Sequence, residues 1–363
     1  MTVARRRDRA VYTRSHPVLF TLLNLTRRAP TVRIGRTVLV HAADPFREAL
    51  TRLPLDRTAA GTTGGIAREV SGGAGVLFDQ AGADHRGARR DLADALGVAG
   101  VERLRPRWQE VLMRRLAPLA TGARVDVVDV ALELSGTVAA ALLDLDVAPR
   151  ELAAAARTAA GTAARAHLPG PRARRHAAAA RAAVADLLAL VGDERTAMVA
   201  VAAVNTTVAA LPRAVAWCAD DGLWPAAADP ATAAVLTDEL LRVLAPTPLL
   251  PRVAAADDMV GSRPVRAGDR LVLVTRHAVH AHDRDPDVSA PQPAATTQLV
   301  FGAGPHACPG ARLARTQLVD ALAAFAPYRP AVRRARVDRR AALPGWAGLE
   351  VAATAGGAAC GSR

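Results

Sequence analysis

The sequence contains no lysine: all 47 of its basic residues are arginine, set against 34 acidic ones for a formal net charge of +13. Aromatic residues are scarce as well, 3% against 51% hydrophobic overall, so a core must be built from Ala, Val and Leu in helix-favouring segments. Cysteine occurs three times, at Cys218, Cys308 and Cys360, an odd count with no paired spacing. That excludes a disulfide framework and fits a reducing, cytoplasmic setting. No apolar run reaches the roughly twenty residues that a membrane span needs. Val18 to Leu25 is too short, and no small-residue cleavage site follows it, so a soluble protein without a membrane partner is expected. The arginine excess could bind nucleic acid. No helix-turn-helix, zinc or RNA-binding signature accompanies it, however, and GC-rich codon usage accounts for it without a nucleic-acid partner.

What is present is a sequence of elements. Thr31 to Ala42 alternates around Gly35 and predicts a β-hairpin. Asp44 to Leu53 predicts a short helix with Asp44 as N-cap and Pro45 at its first position. Thr58 to Ala83, rich in Gly, Thr and Ala, predicts a mobile loop. Three or four amphipathic helices follow from Asp84 to Leu142. Ala148 to Asp193 predicts two short helices joined at LPGPR, residues 168–172. A long apolar helix spans about Thr196 to Ala219 despite Pro212, and another runs from Pro230 to about Leu244. Short strands and turns fill Leu249 to His277, RAGDRLVLVT being the clearest. No repeats occur, and all 363 residues are expected to form one domain, with the first ~10 and last ~8 disordered.

The most informative stretch is FGAGPHACPG, Phe301 to Gly310, which leads into the helix-like ARLARTQLVDALAAF. Gly302, Gly304 and Gly310 permit φ > 0 and a close approach to a flat ligand. A thiolate at the tip of such a loop can point at a metal while nearby amides point at its sulfur, and one soft, electron-donating ligand on haem iron favours O–O cleavage. His306 could hydrogen-bond a propionate, and Phe301 could keep water from the sulfur. The plain alternative is a Gly/Pro loop around an inert cysteine.

The spacing Phe-Gly-x-Gly-x-His-x-Cys-x-Gly resembles the haem-binding signature of bacterial cytochromes P-450, and the order of elements resembles that family over nearly the whole chain. The resemblance implies a mainly α fold with small β-sheets, haem b lying between a long distal helix and the proximal cysteine loop. It implies Cys308 as axial ligand of the haem iron and His85, Arg89, Arg252 and His306 as partners of the two propionates, which would be costly to bury without cations. Phe301, Gly302 and Gly310 belong to the haem-binding loop. Glu239 and Arg242, at i and i+3 on one helix face, resemble the buried pair that braces it; alone, they could equally be a solvated surface pair.

In AAVNTTVAAL, Ala202 to Leu211, small Ala202 and Ala203 would leave room above the haem, and Thr206 would donate a hydrogen bond toward dioxygen, the co-substrate. Thr206 could instead bond its own i−4 carbonyl. Two departures stand out. Asn205 replaces the family's usual acid and cannot carry a proton at neutral pH. The stretch Asp285 to Val300 also lacks the arginine that normally completes the Glu239–Arg242 network. The chain is short for the family, the shortfall falling between Ala148 and Asp193. The implied function is oxidation of a small, largely apolar molecule in specialised-metabolite biosynthesis by a monomer, with electrons from NAD(P)H through ferredoxin reductase and ferredoxin. Asn205 keeps open an atypical reaction such as peroxide use, ring coupling or nitrene-type transfer, and a non-catalytic gas sensor is a further alternative.

Overall fold

The structure is a computed structural model, and it describes residues 1–62, 64–65, 82–166 and 173–354, except the side chains of 82–86, 88, 91 and 173. The first residues are not disordered as expected. They form α1 (Val3–Ser15), capped by the Thr2 side chain, which accepts from the Arg5 N–H. α2 (Pro17–Thr26) follows, with proline at its start, where the missing N–H costs nothing. Burial explains why α1 is ordered. Asp8 and Tyr12 of this helix are buried against Arg213, and Asp8 Oδ1 accepts from Arg213 Nε and Nη2 at 2.8 and 2.6 Å. Arg276 adds a third donor to Asp8 at 3.2 Å, and its guanidinium lies 4.0 Å from the centre of the Tyr12 ring. The last residues, 355–363, with Cys360 among them, lie outside the described ones.

The expected hairpin is β1 (Thr31–Ile34) and β2 (Thr37–Val40), turned at Gly35 with φ 58°. β2 pairs in parallel with β7 (Arg270–Val274), which pairs antiparallel with β4 (Leu249–Val253), completing a four-stranded sheet. A small hairpin, β5 (Asp258–Val260) and β6 (Arg263–Val265), projects between β4 and β7. α3 (Ala43–Thr51) begins earlier than predicted: Ala42 is its N-cap, and the Phe46 N–H donates to the Ala42 carbonyl at 3.1 Å. Asp44 therefore lies inside the first turn, where the helix dipole favours a carboxylate, and it pairs with Arg47 at 3.0 Å.

The body is helical, as expected for a mainly α fold. It comprises α4 (Gly82–Leu96), α5 (Val98–Leu116), α6 (Val127–Leu142), α7 (Pro149–Ala166), α8 (Ala173–Val191), α9 (Glu194–Asp220), α10 (Ala233–Leu244) and α11 (Ala311–Phe325). α7 and α8 are not short: they run 18 and 19 residues, because an Ala-rich sequence propagates helix until Pro or Gly stops it. Their LPGPR joint, and most of the predicted mobile loop, lie outside the described residues. α9 passes unbroken through Pro212 and is the central helix of the largest core cluster, which it shares with α5, α6, α7, α10 and α11. It is long and apolar enough to cross a membrane, but most of it is buried inside the fold. A C-terminal hairpin was not foreseen: β8 (Ala331–Asp338) pairs with β9 (Gly345–Ala352), which also pairs with the short β3 (Val125–Asp126). In AVRRARVD, exposed arginines, two of them adjacent, blur the alternation that marks a strand.

Three histidines meet beside the four-stranded sheet. His41 Nδ1 and His277 Nδ1 are 2.8 Å apart, and the His277 and His282 rings are centred 4.9 Å apart. Burial is the main reason their pKa values fall, to about 4 for His41 and His282 and to about 2 for His277. Around His282, Asp283 pulls the other way, while Arg27, Arg276 and His280 add to the drop. Above pH 6.5 neither folded nor unfolded chain protonates these rings, so they contribute no pH dependence there. Between 6.5 and about 4 the unfolded chain binds protons that the folded chain does not, so stability falls with pH. The slope is at most about 1.4 kcal/mol per pH unit for each ring. His41→Gln should flatten this part of a melting-temperature profile, and an unchanged slope would exclude His41 from the effect.

Candidate haem-binding site

The cysteine loop is shaped by its backbone. Gly302 adopts φ 77°, ψ −168°, a region closed to residues with a Cβ, and Gly304 sits at φ 71°. A Cβ on Gly304 would come within 2.9 Å of the Leu50 carbonyl of α3, so the loop packs where only glycine fits. Gly310 differs from the expectation: it has φ −83° and serves as N-cap of α11. The Cys308 N–H donates to the Phe301 carbonyl at 2.7 Å, closing the loop on itself.

The Cys308 side chain is exposed, yet enough protein surrounds the thiol that desolvation raises its pKa. The Gly310 amide and the charges of Arg89 and Arg315 act in the opposite direction. A metal cation at the sulfur would deprotonate it outright, and the amide and the two arginines would then stabilise the anion. Cys218, by contrast, is fully buried in the apolar core and burial pushes its pKa well up, so it is inert.

Arg89, on α4, donates from Nη1 to the Ala307 carbonyl at 2.6 Å, next to the cysteine. His85 falls on the same helix, but its side chain is outside the described residues. His306 ends the short 3-10 turn Gly304–His306, two residues before the cysteine. Arg252, on β4, is the donor best suited to an anion. Among the described residues its Nε is buried without a partner, its Nη1 reaches the carbonyl of Pro251 at 2.9 Å, and desolvation followed by the charge of Arg57 lowers its pKa to about 10. A group carrying carboxylates would satisfy that arginine, and the exposed thiol supplies a soft ligand, so this donor set fits a haem.

Arg315 was not singled out from the sequence. It stands seven residues after the cysteine, one turn into α11, and its guanidinium lies 4.5 Å from the centre of the Phe301 ring. Arg315 also bonds Asp238 Oδ1 at 2.6 Å and Gln298 Oε1 at 3.0 Å, so Phe301 is held between cation and loop. Its place one turn into the helix that follows the cysteine is the signal that could have found it.

The Glu239–Arg242 pair is buried completely, not a surface pair. Arg242 Nη2 meets Glu239 Oε2 at 2.7 Å and Arg242 Nε meets Oε1 at 3.0 Å. Backbone takes the place of the absent third side chain. The amide of Gln292 donates to Glu239 Oε1 at 3.0 Å and that of Asp287 to Oε2 at 3.4 Å. Arg242 reaches the carbonyls of His280, Arg284 and Asp285 at 3.1 to 3.3 Å. The pair thus gathers the strand-to-loop segment that feeds the cysteine loop.

On α9, Thr206 Oγ1 donates to the Ala202 carbonyl at 2.9 Å, the local i−4 bond. Asn205 points elsewhere: its Nδ2 donates to Val201 O at 2.9 Å and to Ala156 O of α7 at 3.3 Å. Thr207 Oγ1, next along, lies 3.5 Å from Gln317 Oε1 of α11, which ties the distal helix to the helix after the cysteine.

No protein-family profile matches the chain. It is 39% identical over 98 residues to the 20-oxo-5-O-mycaminosyltylactone 23-monooxygenase of Streptomyces fradiae, covering 26% of this chain and 23% of that one. It is 35% identical over 104 residues to the mycinamicin VIII C21 methyl hydroxylase of Micromonospora griseorubida, 27% of this chain and 26% of the other. The match therefore spans about a quarter of the length of these curated relatives. The solved structure of that hydroxylase, bound to mycinamicin VIII, superposes with TM-score 0.72 at 21% identity over 91% of this chain and 95% of that one. P450BioI, in complex with an acyl carrier protein carrying hexadec-9Z-enoic acid, gives 0.73 at 18% identity over 95% of this chain and all of that one. At such identities the structural likeness concerns the fold.

Proposed function

We propose, on the premise that this chain folds as a bacterial cytochrome P450, that it is a haem-thiolate oxidoreductase inserting oxygen into a small, largely apolar molecule of specialised metabolism. The observation that carries the proposal is the Cys308 loop, with an exposed thiol, an amide aimed at the sulfur and two arginine charges beside it. The printed names of the two curated relatives, a monooxygenase and a methyl hydroxylase, support oxygen insertion. When bound, haem b supplies activation of dioxygen with two electrons drawn from NAD(P)H through a ferredoxin.

The chain's own residues then have distinct tasks. Cys308 holds the metal. Arg252, Arg89, His85 and His306 take the propionates. Thr206 turns its hydroxyl from the Ala202 carbonyl toward the distal side to hold a proton there. Exposed Arg103 and Arg107 of α5 and Arg312 of α11 lie on helices joined through Arg105 and Trp108 to Asp320 at 2.8 and 2.9 Å. Such a basic face suits an acidic ferredoxin. The test is spectroscopic: the haem-loaded, reduced protein should give the red-shifted Soret band of a thiolate-ligated carbon-monoxide adduct. A protein that takes up no haem, or an adduct without that shift, overturns the reading.

One observation favours a second reading, a peroxide-driven or otherwise atypical haem-thiolate reaction. At position 205 the side chain has no proton to relay and is committed to two carbonyl oxygens. Product formed with peroxide alone, and none with NADPH, ferredoxin reductase and ferredoxin, would select it. Asn205→Asp separates a relay site from a helix clamp. A carboxylate cannot donate to the Ala156 and Val201 carbonyls, so the clamp predicts a loss of about 1–3 kcal/mol in stability and lower coupled turnover. Improved coupling would instead mark position 205 as a relay site.

A further inference from the structure

Two arginines, Arg57 and Arg252, come together on adjoining segments, and among the described residues no acid pairs with either. The backbone brings them together: the Asp56 N–H donates to the Val253 carbonyl at 2.9 Å, and Leu55 and Ala254 form an isolated antiparallel bridge. Residues 57 and 252 therefore lie on adjoining segments on either side of that contact. Arg57 is desolvated, and its charge acts on Arg252, whose Nε is buried without a partner among the described residues. Among the described residues no carboxylate acts on either guanidinium. The nearest acid in sequence, Asp56, is spent on its own loop: its Oδ1 accepts from the Thr58 N–H and hydroxyl and from the Ala59 N–H.

Two like charges, poorly solvated and close enough to act on one another, are costly unless an anion joins them. The backbone of the loop carrying Arg57 is pinned on both sides of it. Ala255 N–H holds the Pro54 carbonyl at 2.9 Å, and Arg270 Nη2 holds the Ala60 carbonyl at 3.1 Å. An open groove of ≈ 390 Å³, lined by Asp56, Arg57 and Thr58 and by Val253 next to Arg252, runs past Arg57.

We propose that Arg57 joins Arg252 in a two-arginine site for a carboxylate. The carboxylate has two possible sources, a haem propionate or an acid group on the small molecule. The first rests on the proposed haem-thiolate function; the second does not. Neither guanidinium can lose its charge at neutral pH, so the site holds its anion across the working range.

The test compares wild type with Arg57→Gln and Arg57→Lys in two arms. In the first, full-length haem-free protein is titrated with iron protoporphyrin IX and with its dimethyl ester, and binding is followed at the Soret band. If a propionate fills the site, wild type prefers the diacid by about tenfold or more, R57Q loses most of that preference, and R57K recovers part of it, as expected for about one charge-assisted bond. In the second arm, haem-loaded protein is melted with octanoate or methyl octanoate. If a substrate carboxylate fills the site, octanoate alone raises the melting temperature, and R57Q abolishes the rise.

A structural role for Arg57 would lower stability without touching acid-over-ester discrimination. Removing one of two mutually repelling cations should instead leave the unliganded protein as stable as wild type or more so. If R57Q matches wild type in discrimination in both arms, the proposal is overturned. If wild type takes up no haem at all, the haem reading fails, and the octanoate arm, run on the protein as purified, decides the site alone.

Discussion

Cys308→Ser will leave a folded protein that no longer gives the thiolate carbon-monoxide spectrum and loses oxidative turnover on the order of 10²-fold or more. The lower bound follows from metal sites generally, where losing even an outer partner of a ligand typically costs 10–100-fold. Folding should survive because the loop is set by features other than the sulfur. Gly302 and Gly304 hold their left-handed conformations, the residue-308 amide bonds the Phe301 carbonyl, and Arg89 anchors the Ala307 carbonyl. A serine hydroxyl meets the same Gly310 amide but is a hard, weakly donating ligand that stays protonated. Unfolding curves that overlay those of wild type, with the spectrum lost, isolate the sulfur's chemistry. An undiminished thiolate spectrum in the serine variant would remove Cys308 from the site.

The parts of this molecule that could be read from sequence are those governed by local rules. Helix α11, from Ala311 to Phe325, and the hairpin at Gly35 follow from periodicity and turn chemistry, and both are where expected. The cysteine loop is legible because glycine, proline, histidine and cysteine at fixed spacing leave few conformations open. What was hidden depends on contacts far apart in the chain. α1 looks like a charged, disposable tail until Asp8 meets Arg213, more than two hundred positions away, in the core. The β8–β9 ladder packs on α9 and pairs with β3, and its order comes from those contacts, not from its own alternation. Arg57 and Arg252 could not be paired from a sequence in which every basic residue is arginine, since no single one of them stands out. Asn205 reads as an altered relay in one dimension, and only the position of α7 reveals the Ala156 carbonyl it bonds.

Glu239→Ala should cost about 3–5 kcal/mol, the usual penalty for leaving one charge of a buried pair unmatched, and should cost the protein its hold on haem as well. Both members are fully buried, and Arg242 would keep its charge with nothing to oppose it. The more informative experiment removes both charges together, with Glu239→Leu and Arg242→Met in one chain. An ordinary buried ion pair can often be exchanged for apolar residues of similar volume with little loss, because the desolvation cost disappears along with the attraction. Here that rescue should fail. The double variant would strand the amides of Asp287 and Gln292 and the carbonyls of His280, Arg284 and Asp285, backbone groups that no apolar side chain can satisfy. Each costs about 1–3 kcal/mol when buried unpaired. The segment they belong to runs directly into Gln298–Phe301 and the cysteine loop, so its loosening should appear as faster haem loss as well as a lower melting temperature. Double and wild-type proteins with equal stability would mean that the pair serves only itself, and that the cysteine loop is braced from elsewhere.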